Sequence, residues 1–274
     1  MPEEKSRAEV VYEEYLTGQG TTWEYETLPG RKKPDYLIPH AGGKCIVEVK
    51  LIEDPDPRPT EGYNPDRSIR AKITDARKQF KEYKHLPCGL GIYSESGYAP
   101  HEPSILLAAA FGPGYQQAGR DHSRICPKPS FYRFLKRSEL PEDGQFLANA
   151  MLSPGANTTF SAIIMLSWHR IRKVDLEVWK RRYTQQEAGS PIDNQFELLN
   201  ELFPEYGQSL HSGEKIRVIT IENRHRRLPF PEDLFRGPFD QRWGWNAEGW
   251  CGPVWVGDRL RELYEHEGVP FYML

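Results

Sequence analysis

The chain is poor in the features that announce most special classes of protein. It has four cysteines, Cys45, Cys88, Cys126 and Cys251, scattered singly over 274 residues. They form no CxxC pair and no zinc-type spacing, so a disulfide scaffold and a zinc module are excluded and a reduced cytoplasmic protein is expected. No apolar run reaches the length of a membrane span. The N-terminal MPEEKSRAEVVYEEY is acidic and amphipathic, which does not fit a signal peptide. Net charge is only −3, so any nucleic-acid surface must be a local patch and not the whole protein. There is no internal repeat and no low-complexity block. With 38% hydrophobic residues and seven tryptophans, the chain has what a folded core needs.

The first hundred residues parse into a regular order. Ala8, Val11, Tyr12, Tyr15 and Leu16 share one helical face, and Gly18 and Gly20 follow as stop signals. Thr21 to Leu28 reads as a strand, Pro29-Gly30 as a turn, and Pro34 to Ile38 as a second strand. His40 to Gly43 turns the chain into a third strand, Cys45 to Leu51. A Pro-rich loop from Asp54 to Asp66 leads to a helix over Arg67 to Leu86, with Ile69, Ile73, Ala76, Phe80 and Tyr83 as its apolar stripe. Pro87 stops it, and Gly89 to Ser94 is a fourth strand. The order is αβββαβ.

Beyond residue 100 the pattern is weaker. Ile105 to Phe111 suits strand or helix. Thr159 to Ser167 and Lys215 to Glu222 read as strands, Val174 to Gln186 and Gly257 to His266 as helices. The stretch LPFPEDLFRGPFDQRWGWNAEGWCGPVW reads as an ordered arm with little regular structure. The expected architecture is α/β, with residues 1–100 as the core carrying a mixed central sheet. Residues 101–274 are an α/β extension of unassigned role, able to continue the same sheet.

The chemistry-bearing stretch is KPDYLIPHAGGKCIVEVK, Lys33 to Lys50. Alternate residues of a strand share a face, so Ile46, Glu48 and Lys50 point one way and Cys45, Val47, Val49 and Leu51 point into the core. An antiparallel hairpin sets Asp35 across from Glu48. Two carboxylates and a lysine then converge. Mg2+ takes hard oxygen ligands, commonly one or two carboxylates with water and phosphate oxygens. It polarises a phosphoryl group and acidifies bound water, while a lysine orients that water or offsets developing charge. The plainer reading of Glu48 and Lys50 is a cross-strand ion pair on a solvated face.

Pro34-Asp35 followed by Glu48-Val49-Lys50, within the order αβββαβ, resembles the PD-(D/E)xK nuclease superfamily, the restriction-endonuclease-like fold. The resemblance covers roughly residues 6 to 95. It implies a metal-dependent nuclease, a phosphodiester hydrolase using Mg2+ with Mn2+ as a substitute. Asp35 and Glu48 are implied as metal ligands and Lys50 as the catalytic lysine. DNA is favoured over RNA by the resemblance alone. Gln79 and Tyr83, four apart, match the Gln-x-x-x-Tyr of exonuclease-type members and are implied to position the nucleic acid or the ligands. A core tyrosine beside a half-exposed glutamine is the alternative for that pair.

The family often adds an acid from the first helix, and Glu9 lies nearest the apolar face. Ser6-x-x-Glu9 equally fits a capping box. Lys72 lies on the flank of Gln79, while Arg70, Arg77 and Lys81 line the opposite flank, as a phosphate track or as a solvated helix face. The expected partner is nucleic acid with no membrane, in a homodimer or a larger defence or repair complex. The alternative is a catalytically silent nucleic-acid-binding or assembly protein on the same fold.

Overall fold

The computed structural model describes residues 5–30, 33–53, 65–94, 103–111, 115–118, 131–134, 152, 157–169, 215–247 and 249–265. The expected helix at Val174 to Gln186 lies outside them, as does most of the Pro-rich loop before Asp66.

Helix α1, Arg7–Gly18, starts where Ser6 caps it. The Ser6 hydroxyl accepts from the Glu9 amide, and the Glu9 carboxylate accepts from the Ser6 amide at 2.7 Å, which satisfies two end donors at once. Its buried residues are the five of the expected stripe. They press on one face of a sheet whose strands are β1 (Glu24–Tyr25), β2 (Tyr36–His40), β3 (Gly43–Ile52) and β4 (Cys88–Ser94). The first strand is shorter than expected, two residues at the sheet edge. β2 and β3 form an antiparallel hairpin from Tyr36↔Val47 to His40↔Gly43, turned by Ala41-Gly42. β4 lies parallel to β3, with Glu48 beside Leu90 and Lys50 beside Ile92. The mixed sheet and the order αβββαβ are as expected.

Helix α2, Pro65–Phe80, connects β3 to β4 across the second face. It opens on a proline, tolerated where the amide has no helical partner. It ends six residues before the expected Leu86. Lys81 to His85 are adequate helix formers, so tertiary demands decide. Leu86 precedes Pro87, which disfavours helical geometry there. The Pro87 carbonyl accepts from the Ile46 amide at 2.9 Å, which starts β4 against β3. The chain must turn early to reach that register.

β4 pairs directly with β7 (Phe160–His169), also parallel, and the sheet continues through β8 (Lys215–Glu222), β9 (Gln241–Trp245) and β10 (Trp250–Val256) to β6 (Phe131–Phe134) and β5 (Tyr115–Ala118). Among the described residues it has ten strands in the order β1-β2-β3-β4-β7-β8-β9-β10-β6-β5. Ile105 to Phe111 resolves as helix α3, Pro103–Phe111. Three consecutive alanines favour helix, and a helix apolar on all sides must be buried. The C-terminal arm is more regular than its composition suggests, since it supplies β9 and β10. Pro253 is accommodated beside a register shift between Pro253 and Trp255. Helix α4, Asp258–Glu265, follows. No described helix is long and apolar enough to cross a membrane.

One core, under α2 and α3, joins Leu37, Ile46, Ile52, Ile73, Phe80, Leu90 and Trp243. The other, under α1, joins Tyr12, Tyr36, Val47, Val49, Ile164 and Phe235. β3 is therefore buried on both faces, not on one as its alternation suggested. Asp240 pins the second core. Its carboxylate accepts from the Tyr15 hydroxyl of α1, from the Val218 amide of β8 at 2.8 Å and from the Gly237 amide at 2.6 Å. Tyr15→Phe removes a hydrogen bond to a buried charge and is expected to cost about 1.5–3 kcal/mol. Denaturant midpoints of the two proteins at constant slope measure it.

Candidate active site

The site lies where the β2–β3 hairpin opens. Tyr36↔Val47 is the terminal pair of that ladder, so the amides of β3 beyond it need other partners. Asp35, just before β2, supplies one: its Oδ2 accepts from the Val49 amide at 2.7 Å. Its own amide donates to Glu48 Oε2 at 3.3 Å. Each acid is therefore held by the other's segment. Glu48 Oε1 meets Lys50 Nζ, and the Gln79 side chain of α2 donates to the same carboxylate. Asp35, Glu48, Lys50 and Gln79 thus meet at one place.

Glu48 is fully buried, while Lys50 remains partly open to solvent. The reason is the position of β3 under α2: Ile46 and Ile52, on the same face, are packed into the core beneath that helix. Burial pushes the Glu48 carboxyl up from its ordinary range, against the opposing pull of Lys50, Gln79 and the Asp35 amide. Burial together with the Glu48 charge pushes Asp35 up to about 7, with the Val49 amide and Lys50 pulling the other way. Burial works against the charge of Lys50, but Glu48 and Asp35 outweigh it and raise its pKa.

Two facing acids that resist ionising together are what a dication relieves. The donors are hard oxygens, and the described residues hold no group of three His, Cys, Asp or Glu arranged for a metal. A two-carboxylate set fits Mg2+ completed by water, and not a closed zinc site.

Other expected residues are placed differently. Glu9 closes the capping box with Oε2, and its Oε1 accepts from Tyr25 at 2.6 Å. It sits on the α1 side, and it reaches Asp35 through its field rather than by a contact. The capping alternative is the observed role of this residue. Tyr83 falls beyond the end of α2, so it and Gln79 are not neighbours on one helical face. Its ring is buried and its hydroxyl donates to the Pro29 carbonyl at 2.7 Å. Arg70 turns toward α3 and donates to the Ala108 carbonyl at 3.4 Å, which joins two helices on the side away from Glu48. Arg77 and Lys81 are exposed. Lys72 is half-buried on the Gln79 flank.

Asp75 was not anticipated. It shares that flank with Lys72 and Gln79 at spacings of three and four, and its charge helps raise the pKa of Lys50. It pairs with Lys78 at 3.1 Å. Counting back from Gln79 in helical steps would have found it. The amides of Asp35 and Val49 were invisible to a reading based on side chains.

Two stability measurements test these electrostatics. The raised pKa of Asp35 means that the folded state binds a proton more tightly than the unfolded chain. Its favourable contribution is present below about pH 4 and is lost as pH rises through about 7. Asp35→Asn has no such loss, so at pH 8 without divalent cations it is expected to melt a few degrees above wild type. At pH 4 the gap closes. Lys50→Met strands the Glu48 charge and is expected to cost up to about 3 kcal/mol at pH 8. The double variant Glu48→Gln/Lys50→Met recovers most of it in the same denaturation assay.

No protein-family model matches the chain, and no curated protein matches it. Among solved structures, the chain is similar to SfsA of Pyrococcus furiosus in complex with Ca2+, at 17% sequence identity and a TM-score of 0.22. The match covers 59% of this chain and 55% of that one, so this chain spans about half the length of the structure it resembles. A likeness of that size carries no weight for function, and the assignment rests on the geometry of the site.

Proposed function

We propose that the chain is a metal-dependent nuclease that hydrolyses phosphodiester bonds of DNA. One observation carries this reading: Asp35 and Glu48 are held by each other's segments, within electrostatic reach of one another and of Lys50, at the open end of the β2–β3 hairpin. Asp35 and Glu48 would hold Mg2+, with Mn2+ as a substitute. When bound, the metal polarises the phosphoryl oxygen and makes attacking water more acidic.

The chain's own residues do the rest. The Asp35 amide and Gln79 fix the Glu48 carboxylate, so its orientation does not depend on the substrate. The Val49 amide fixes the Asp35 carboxylate in the same way. Lys50 keeps its charge, because the neighbouring acids raise its pKa, and it stays partly solvent-exposed. It is placed to hold the attacking water and to offset negative charge on the phosphate as that charge develops. Lys72, on the flank of α2 that faces the site, is the nearest candidate for a flanking phosphate. Arg77 and Lys81, exposed on the opposite flank, would meet only phosphates further from the site. Cutting both strands of a duplex calls for two such sites, which a homodimer supplies.

A catalytically silent nucleic-acid-binding protein is the competing reading. The Glu48–Lys50 ion pair favours it, since it occupies an oxygen that a metal would take.

Cleavage assays separate the two. Wild type is expected to cut circular or linear DNA with Mg2+ or Mn2+ and not with EDTA. Lys50→Ala is expected to lose about 100- to 1,000-fold in rate. Asp35→Asn, although more stable, is expected to be inactive. No cutting by wild type under any of these conditions, or full activity in Asp35→Asn, would remove the nuclease assignment.

A further inference from the structure

Tyr83 lies off the end of α2 and apart from the helical pairing with Gln79 expected of it, and its contacts lead to Asp35 by a different route. Asp35 is reached through a loop that leaves β1 at Glu26. The base of that loop is closed by a bond from the Glu26 amide to the Asp35 carbonyl at 2.9 Å. Leu28, early in that loop, packs against the core on the α2 side of the sheet. Just beyond Leu28, the Tyr83 hydroxyl donates to the Pro29 carbonyl at 2.7 Å.

The next residue shows how close the approach is. Gly30 has φ 145°, and a Cβ there would lie 2.7 Å from the Tyr83 hydroxyl oxygen and 2.8 Å from Glu82 Oε2. Real Cβ atoms do not come so near, so Gly30 is required by both its backbone conformation and the seated tyrosine. A buried aromatic ring, immobile in the core, thus holds the loop from the helix side.

We infer that Tyr83 is a positioning residue: it anchors the Pro29-Gly30 turn so that Asp35 is delivered with its carboxylate against the Val49 amide and its own amide against Glu48. Tyr83 holds Pro29, six residues before Asp35 in sequence, and Asp35 in turn meets Val49 and Glu48. Loosening the first contact lengthens the range of positions open to the last. The consequence for metal affinity rests on the nuclease reading. The consequence for the Val49 amide does not.

The test uses Tyr83→Phe, which keeps the ring in the core and removes only the hydroxyl, and Gly30→Ala, which displaces the same contact from the loop side. Amide exchange by NMR reads Val49, whose proton is held by Asp35, against Ile46, whose proton is held by the Pro87 carbonyl. In both variants Val49 protection is expected to fall about tenfold while Ile46 is unchanged. Calorimetric Mn2+ titration is expected to show affinity roughly tenfold weaker in each. Unchanged Val49 protection in both variants overturns the inference, as does an equal fall at Val49 and Ile46, which would mark a general loss of stability. Selective loosening of Val49 in a protein whose wild type takes up no Mn2+ would uphold the anchor and remove the nuclease reading instead.

Discussion

A carboxylate with no access to water governs this fold. Glu48 sits in the middle of a strand covered on both faces, where an isolated charge would be intolerable. It is tolerated because three groups from three segments converge on it: Lys50 two residues on, Gln79 from α2, and the Asp35 amide from the start of β2. Satisfying that one group therefore fixes the hairpin register, the placement of α2 over the sheet and the entry point of the second strand. The arrangement is a poor way to stabilise a protein, since buried ion pairs rarely outperform apolar packing. A charge kept inside the sheet at that cost is what supports the proposed catalytic role.

Much of the first half could be read from the sequence, for identifiable reasons. The helical spacing of Ala8, Val11, Tyr12, Tyr15 and Leu16 and the period-two run of β3 are local patterns, and local patterns survive folding. The antiparallel turn at Ala41-Gly42 is equally local, and it alone suffices to bring Asp35 opposite Glu48. What local pattern left open depends on distant partners. Nothing near Leu86 says that the helix must stop at Phe80; the demand comes from Pro87 joining β3. Nothing in Ser6-x-x-Glu9 decides between cap and ligand until Tyr25 arrives to take the second oxygen. The contact of Arg70 with the Ala108 carbonyl was invisible because α3 could not be placed from sequence.

The C-terminal arm shows a different kind of opacity. Tryptophan, glycine and proline in close succession hide a strand pattern, because glycine and proline are counted against strands. Gly244 lies under Val254, and Pro253 beside a register shift, so each breaker occupies a position where the sheet has use for it. Two further strands extend the sheet beyond β8, and Trp243 and Cys251 join the same core as the residues around Glu48.

The bond between Tyr15 and Asp240 spans 225 residues of sequence. The tyrosine has no acceptor until a segment more than two hundred residues further along the chain has been made. Val218 and Gly237, which orient that acceptor, also come late. The β2–β3 hairpin and α2 make their contacts with each other without that later segment. Contacts of such sequence separation are slow to form, so the joining of α1 to the β8–β9 part of the sheet is a late step in folding.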